Sequence, residues 1–293
     1  MRDVLSILVI AIMLASLIYP ILRKGSASLT IAIGLFAIFM LELVTSRSGI
    51  IVTSRLFIDL AFSPAYLTSG DALYTVFTSI FLHASFTHII FNVVALVFIG
   101  IFLEERIGNE RFLTIFIISG IVGSLTFGLA NFGNFSFAIG ASGSISGILG
   151  AIGILYPRQG FMILFLPIKN IPAWVIVLGF LAIQLYLAMV PGSLIAWEAH
   201  VGGLAAGLAI APLVVRFQSE ERATRGEKVN IMLFATTPEE KEIANRIRSE
   251  SMREVRTAWM EQLVTTAKCP LCGARIRVYR GRIKCRNGHK FNV

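Results

Sequence analysis

The sequence predicts an all-α polytopic membrane protein that carries a small water-soluble tail. Three observations predict it. Hydrophobic residues make up 56% of the 293 and charged residues 15%, against about a quarter charged in soluble domains. Seven apolar stretches recur, each near the ~20 residues that cross ~30 Å of hydrocarbon. The charge is also segregated. From Arg216 onward there are 17 Lys and Arg against 9 Asp and Glu, whereas the first 215 residues hold 9 basic and 8 acidic ones.

The spans lie near residues 4–22, 28–46, 86–103, 112–131, 141–157, 172–190 and 197–215. The first is read as an uncleaved helix rather than a signal peptide. Its apolar core is long, no small-x-small cleavage site follows, and Arg23-Lys24 flank its far end. The fifth, rich in Gly and Ser, is the least hydrophobic. Short loops set the topology. Arg23 and Lys24, the segment from Glu104 to Arg111, Arg158, Lys169 and Arg216 all fall on one side if the spans alternate, and basic residues mark that side as cytoplasmic. The expected placement is the cell membrane, with the amino terminus outside and the tail in the cytoplasm.

Ser142 and His200 each begin a helix that descends from the outer side, so both are expected at a similar depth. Gly143 and Gly147 form a G-x-x-x-G beside the serine. Gly203 and Gly207 follow the histidine on its own face, and small residues so spaced let membrane helices approach closely. A polar imidazole at membrane depth is expensive and marks a functional site by default. Together these features point to hydrolysis within the membrane. Gly140 opens the serine's segment, Gly140-Ala141-Ser142-Gly143. The other reading is that the glycines serve packing alone.

His88 and Asn92, four apart on a helix starting near Phe86, share a face. With the backbone N–H of Ser142 they are candidate donors to a developing oxyanion. The alternative is that they bond loop carbonyls and hold the outer segment. His83, expected at the water edge, suits an orienting role. Glu198 points to a different face from His200 and is a poor orienter.

The strings FLHASFTHIIFN, GASGSISGILGA and AHVGGLAAG, in this order and spacing, strongly resemble the rhomboid family of intramembrane serine proteases, over roughly residues 28 to 216. The resemblance implies Ser142 as nucleophile and His200 as general base in a dyad without an acidic third member. It implies His88 and Asn92 as oxyanion donors, no cofactor for catalysis, and transmembrane proteins in the lipid bilayer as substrates. It also implies a six-helix core over 28–216, preceded by an extra transmembrane helix in 1–27, with a broad outer loop from about 47 to 85. One departure stands out. The position four after the nucleophile is often aromatic in the family and packs on the histidine; here it is Ser146. Its hydroxyl shares a face with Ser142 as a decoy or hydrogen-bond partner.

The tail divides into a linker with an amphipathic helix, 217–265, and a zinc-ribbon-like module, 266–293. Thr237-Pro238-Glu239-Glu240 reads as a capping box with proline at the first helical position. The helix is expected to reach about Leu263, with Ile243, Ile247, Val255 and Trp259 near helical spacing. Cys269, Cys272, Cys285 and His289 use every cysteine of the chain. Their spacing suits a closed, structural tetrahedral zinc; reduced, unmetallated thiols are the alternative. From Lys268 to Lys290 there are eight basic residues and no acidic one. An anionic lipid surface or a protein partner fits this stretch better than nucleic acid does, and a merely solvated basic face fits equally well. A hairpin is expected at Arg280-Gly281. A transporter is disfavoured because paired intramembrane carboxylates and internal repeats are missing. A non-catalytic protein that binds transmembrane helices is the competing class.

Overall fold

A computed structural model describes residues 4–46, 51–162, 170–193, 195–225, 229–279 and 282–292. The chain divides into two compact units, 1–214 and 215–293.

The first unit is built from helices α1 (Val4–Arg23), α2 (Ala27–Thr45), α3 (Phe86–Ile107), α4 (Asn109–Ala130), α5 (Ser142–Leu155), α6 (Ala173–Ala188) and α7 (Trp197–Arg225). The last of these crosses the boundary between units. Five are long and apolar enough to span a membrane, which makes this a multi-pass membrane protein. Outward faces are apolar, as lipid requires: Ile7, Leu14, Ile18, Phe91, Leu178, Leu185 and Tyr186 are all exposed. Of the sixteen residues of α6, only Ala173, Val177 and Gln184 are buried.

Side-chain contacts define the two ends of this bundle. At one end Glu104 accepts from the Ser28 N–H (2.7 Å) and the Ser26 hydroxyl (3.2 Å), closing the start of α2. The Phe102 ring meets Tyr156 and Phe161 there as well. Arg23, Lys24, Arg106, Arg111 and Arg158 all belong to this end by chain order; Lys169 lies outside the described residues. At the other end the Ala138 N–H donates to the Phe62 carbonyl (2.9 Å), and Asn131 donates to Glu198 (3.1 Å).

Three sequence expectations are corrected here. The loop expected from Glu104 to Arg111 is helical almost throughout, because α3 runs to Ile107 and a single Gly108 at φ +82° breaks it before α4. The fifth and sixth spans are short, 14 and 16 residues. A helix of 14 residues covers about 21 Å of the ~30 Å core. The segment expected as a broad outer loop is, over 51–85, a packed body of short helices. It buries Phe57, Leu60, Phe62, Ile80 and Phe81.

The second unit has its own core. Two helices, α8 (Pro238–Ser249) and α9 (Arg253–Thr266), lie with a three-stranded antiparallel sheet of β1 (Ile276–Tyr279), β2 (Arg282–Cys285) and β3 (Lys290–Phe291), in that order. Phe234, Ala244, Ile247, Leu263, Ile276, Ile283 and Phe291 bury together. The expected linker and ribbon therefore share one core. The capping box forms as read: the Glu240 N–H donates to the Thr237 hydroxyl (3.2 Å), and the Thr237 N–H to the Glu240 carboxylate (3.0 Å). The single helix expected to Leu263 is instead two. Glu250 turns extended, and its carboxylate caps the Met252 N–H (2.9 Å). One long helix would leave its apolar stripe bare; the break lets Ile247 and Leu263 face a shared interior. Tyr279 pairs with Arg282 across a hairpin, whose expected turn at Arg280-Gly281 lies outside the described residues.

Candidate active site

The site rests on the approach of α5 and α7. A Cβ placed on Gly203 would overlap the Gly143 carbonyl, and one on Gly207 would overlap the Gly147 carbonyl. The two helices thus meet backbone to backbone, as small residues at four-residue spacing allow. Ser142 is the first residue of α5, and His200 lies in the first turn of α7. The Ser142 Oγ and His200 Nε2 stand 2.8 Å apart, a hydrogen bond. Beside Ser142 is a cavity of about 20 Å³, lined among others by Ser79, Ser124 and Gly140. That is room for one water molecule.

The backbone before the serine is specialised. Gly140 sits at φ +113°, where a Cβ would also lie 2.7 Å from the His88 Nε2. No other residue type fits both demands. Its N–H donates to the Ser79 carbonyl (2.9 Å), tying the 51–85 segment to the serine's turn. The His88 imidazole therefore packs directly against the residue two before Ser142. The first N–H groups of α5 have no carbonyl partner within their own helix, and the positive end of its dipole lies with them.

Asn92 is buried, and its amide nitrogen donates to the His88 carbonyl one turn earlier (2.9 Å). Its Oδ1 is buried with no hydrogen-bond partner. His83 departs from expectation. It is fully buried rather than at the water edge, and the buried Glu42 of α2 accepts its backbone N–H (3.2 Å). The His83 ring meets the His88 ring edge-on at 4.9 Å between centroids, so it backs the imidazole that faces Gly140. Glu198, read as a poor orienter of His200, bonds Asn131 instead.

Two residues of α6 were not singled out from sequence. The Oε1 of Gln184 lies 2.8 Å from the His200 Nδ1, and the Phe180 ring lies 6.1 Å from the His200 ring. Ser146, in the position the resemblance fills with an aromatic, donates its hydroxyl to the Ser142 carbonyl (2.7 Å). Of the two roles expected for it, this is the hydrogen-bond partner of Ser142; the aromatic neighbour of His200 comes from α6. The signal for Gln184 was present in the sequence as a lone amide within an otherwise apolar span.

In the second unit, the Cys269, Cys272, Cys285 and His289 ligand atoms all lie within 4.8 Å of one another. The separations are 3.8 Å for Cys272–Cys285, 3.6 Å for Cys269–His289 and 3.3 Å for Cys285–His289. Donors tetrahedrally placed around zinc at ordinary bond lengths stand about 3.5–3.8 Å apart. The set fits a zinc ion. Burial pushes the Cys269 thiol up, and a cation bound there would favour its thiolate.

Residues 70–217, just over half of the chain, match a family model described as the Rhomboid domain. The chain is similar to Rhomboid-like protease 3 of Toxoplasma gondii, 29% identical over 46% of this chain and 50% of that protein. It is similar to Rhomboid protease GluP of Bacillus subtilis, 31% identical over 64% of this chain and 35% of that protein. A shorter stretch is 37% identical to Inactive RHOMBOID-like protein 8 of Arabidopsis thaliana, over 20% of this chain and 17% of that one. The matched stretches thus span half or less of these relatives' lengths.

Proposed function

We propose that this chain, which belongs to the rhomboid family, is an intramembrane serine endopeptidase that cuts transmembrane protein substrates near their outer ends. The observation that carries the reading is the 2.8 Å contact between Ser142 Oγ and His200 Nε2 at the head of two closely packed helices. Ser142 attacks the scissile carbonyl while His200 takes its proton and returns it to the leaving amine; water then resolves the acyl-enzyme. Negative charge on the tetrahedral oxygen is met by the His88 imidazole, the first N–H groups of α5 and its dipole. Asn92 joins them as an oxyanion donor if its amide turns from the His88 carbonyl. Gly140, Gly143 and Gly203 support this geometry, and His83 orients His88. No cofactor takes part in these steps.

A substrate carbonyl within a helix is already hydrogen-bonded, so the cleaved segment has to unwind. Helix-breaking or small residues are favoured there. The basic end of the bundle faces the cytoplasm, which puts the amino terminus and the site at the outer side of the cell membrane. Cys269, Cys272, Cys285 and His289 hold a structural zinc in the tail. The basic stretch from Lys268 to Lys290 meets an anionic lipid surface or protein. A protein that only bound transmembrane helices would need neither Ser142 nor His200. In proteoliposomes with a transmembrane reporter, the wild-type chain is expected to cleave and Ser142→Ala to be silent. Undiminished cleavage by Ser142→Ala removes the assignment.

A further inference from the structure

We infer that Gln184 is a positioning residue for His200, the third side chain in a Ser–His–Gln line of hydrogen bonds; this rests on the protease reading above. The Gln184 side chain is buried, one of three buried positions of α6 and the only polar one. Its Oε1 stands 2.8 Å from the His200 Nδ1, while Ser142 Oγ stands 2.8 Å from the Nε2. A carbonyl oxygen only accepts, so the hydrogen on the imidazole belongs to Nδ1. That fixes the tautomer. The Nε2 lone pair then faces the Ser142 hydroxyl, the arrangement a general base requires.

The physical reason for an amide here is membrane depth. A carboxylate in this position would have to be desolvated, a cost that a neutral acceptor avoids. The amide orients the ring and gives up the stronger support a negative charge lends the imidazolium during proton transfer. Phe180, one turn before Gln184 on the same face of α6, lies beside the same ring. Helix α6 thus supplies both the polar and the aromatic neighbour of His200, while Ser146 of α5 is turned to its own helix. Among the described residues, the Ser142 hydroxyl of α5 and the titratable His88 of α3 also act on His200.

The test compares wild type with Gln184→Met, the isosteric Gln184→Glu, and Ser142→Ala in the same proteoliposome cleavage assay across pH. Gln184→Met removes the acceptor at similar volume and is expected to lower kcat by about tenfold with KM within about twofold, the scale of one neutral hydrogen bond. Gln184→Glu keeps the acceptor and adds charge beside the imidazolium. It is expected to retain cleavage and to move the acid limb of the pH–rate profile upward by about one unit. A side chain at position 184 that did not adjoin His200 would leave that limb in place. The role is overturned if Gln184→Met keeps wild-type kcat, or if Gln184→Glu leaves the limb unmoved; the Glu variant decides should the Met variant fail to fold. Cleavage surviving in Ser142→Ala would instead overturn the protease reading itself, so the two failures are distinguishable.

Discussion

Gly203 of α7 lies so close to Gly143 of α5 that a single methyl group on it would overlap the Gly143 carbonyl. This approach holds His200 within reach of Ser142, so the chemistry depends on a packing contact three residues away. Gly203→Ala is expected to force the helices apart, costing about 1–3 kcal/mol as overpacking does, and to reduce cleavage sharply. Gly179, with open space around its Cβ position, supplies the control: Gly179→Ala should leave both thermal stability in detergent and cleavage within error.

The tail helix α8 has a pH-linked cap. Burial raises the Glu240 carboxyl, but hydrogen bonds from Thr237 and Thr236 outweigh it and hold the group below its usual range. A depressed carboxyl stabilises the fold above its unfolded pKa of about 4.3, and that contribution is lost as pH falls through the lower folded value. Thr237→Ala is expected to cost about 1 kcal/mol. Glu240→Gln should flatten the loss of tail structure between about pH 5 and pH 3. Protease resistance of residues 229–292 in the intact protein, followed over that range, checks both.

Metal removal should be felt in the tail alone. One zinc per chain is expected by elemental analysis, and Cys285→Ser should release it and expose the segment 229–292 to proteolysis. Ile276, Ile283 and Phe291 share their core with α8 and α9, so the helices should loosen along with the ribbon. Reporter cleavage should be unchanged, since the membrane unit has a separate core. Cleavage that fell in step with zinc loss would contradict this.

Much of the site was legible because polar groups in apolar spans announce themselves. Ser142, His200 and His88 stood out for that reason, and the glycine spacings indicated which faces meet. Gln184 and Glu42 obeyed the same rule and were passed over. An uncharged amide among sixteen mostly apolar residues carries no charge signal, and the role of Glu42 comes from the fold, which brings it to the His83 N–H. Backbone decisions were harder to read. The turn at Glu250–Met252 depends on two apolar stripes needing each other across a gap, which a single helical period does not display. The shortness of α5 depends on where Gly140 turns the chain, and that turn follows from contact with His88 and Ser79. Both are tertiary facts.

The central claim is that Ser142 is made nucleophilic by His200. Treating the membrane-embedded protein with a fluorophosphonate and locating the adduct by mass spectrometry tests it most directly. The expected result is a single adduct on Ser142 that disappears in His200→Ala. An adduct on another serine, or undiminished labelling of Ser142 in His200→Ala, would contradict it.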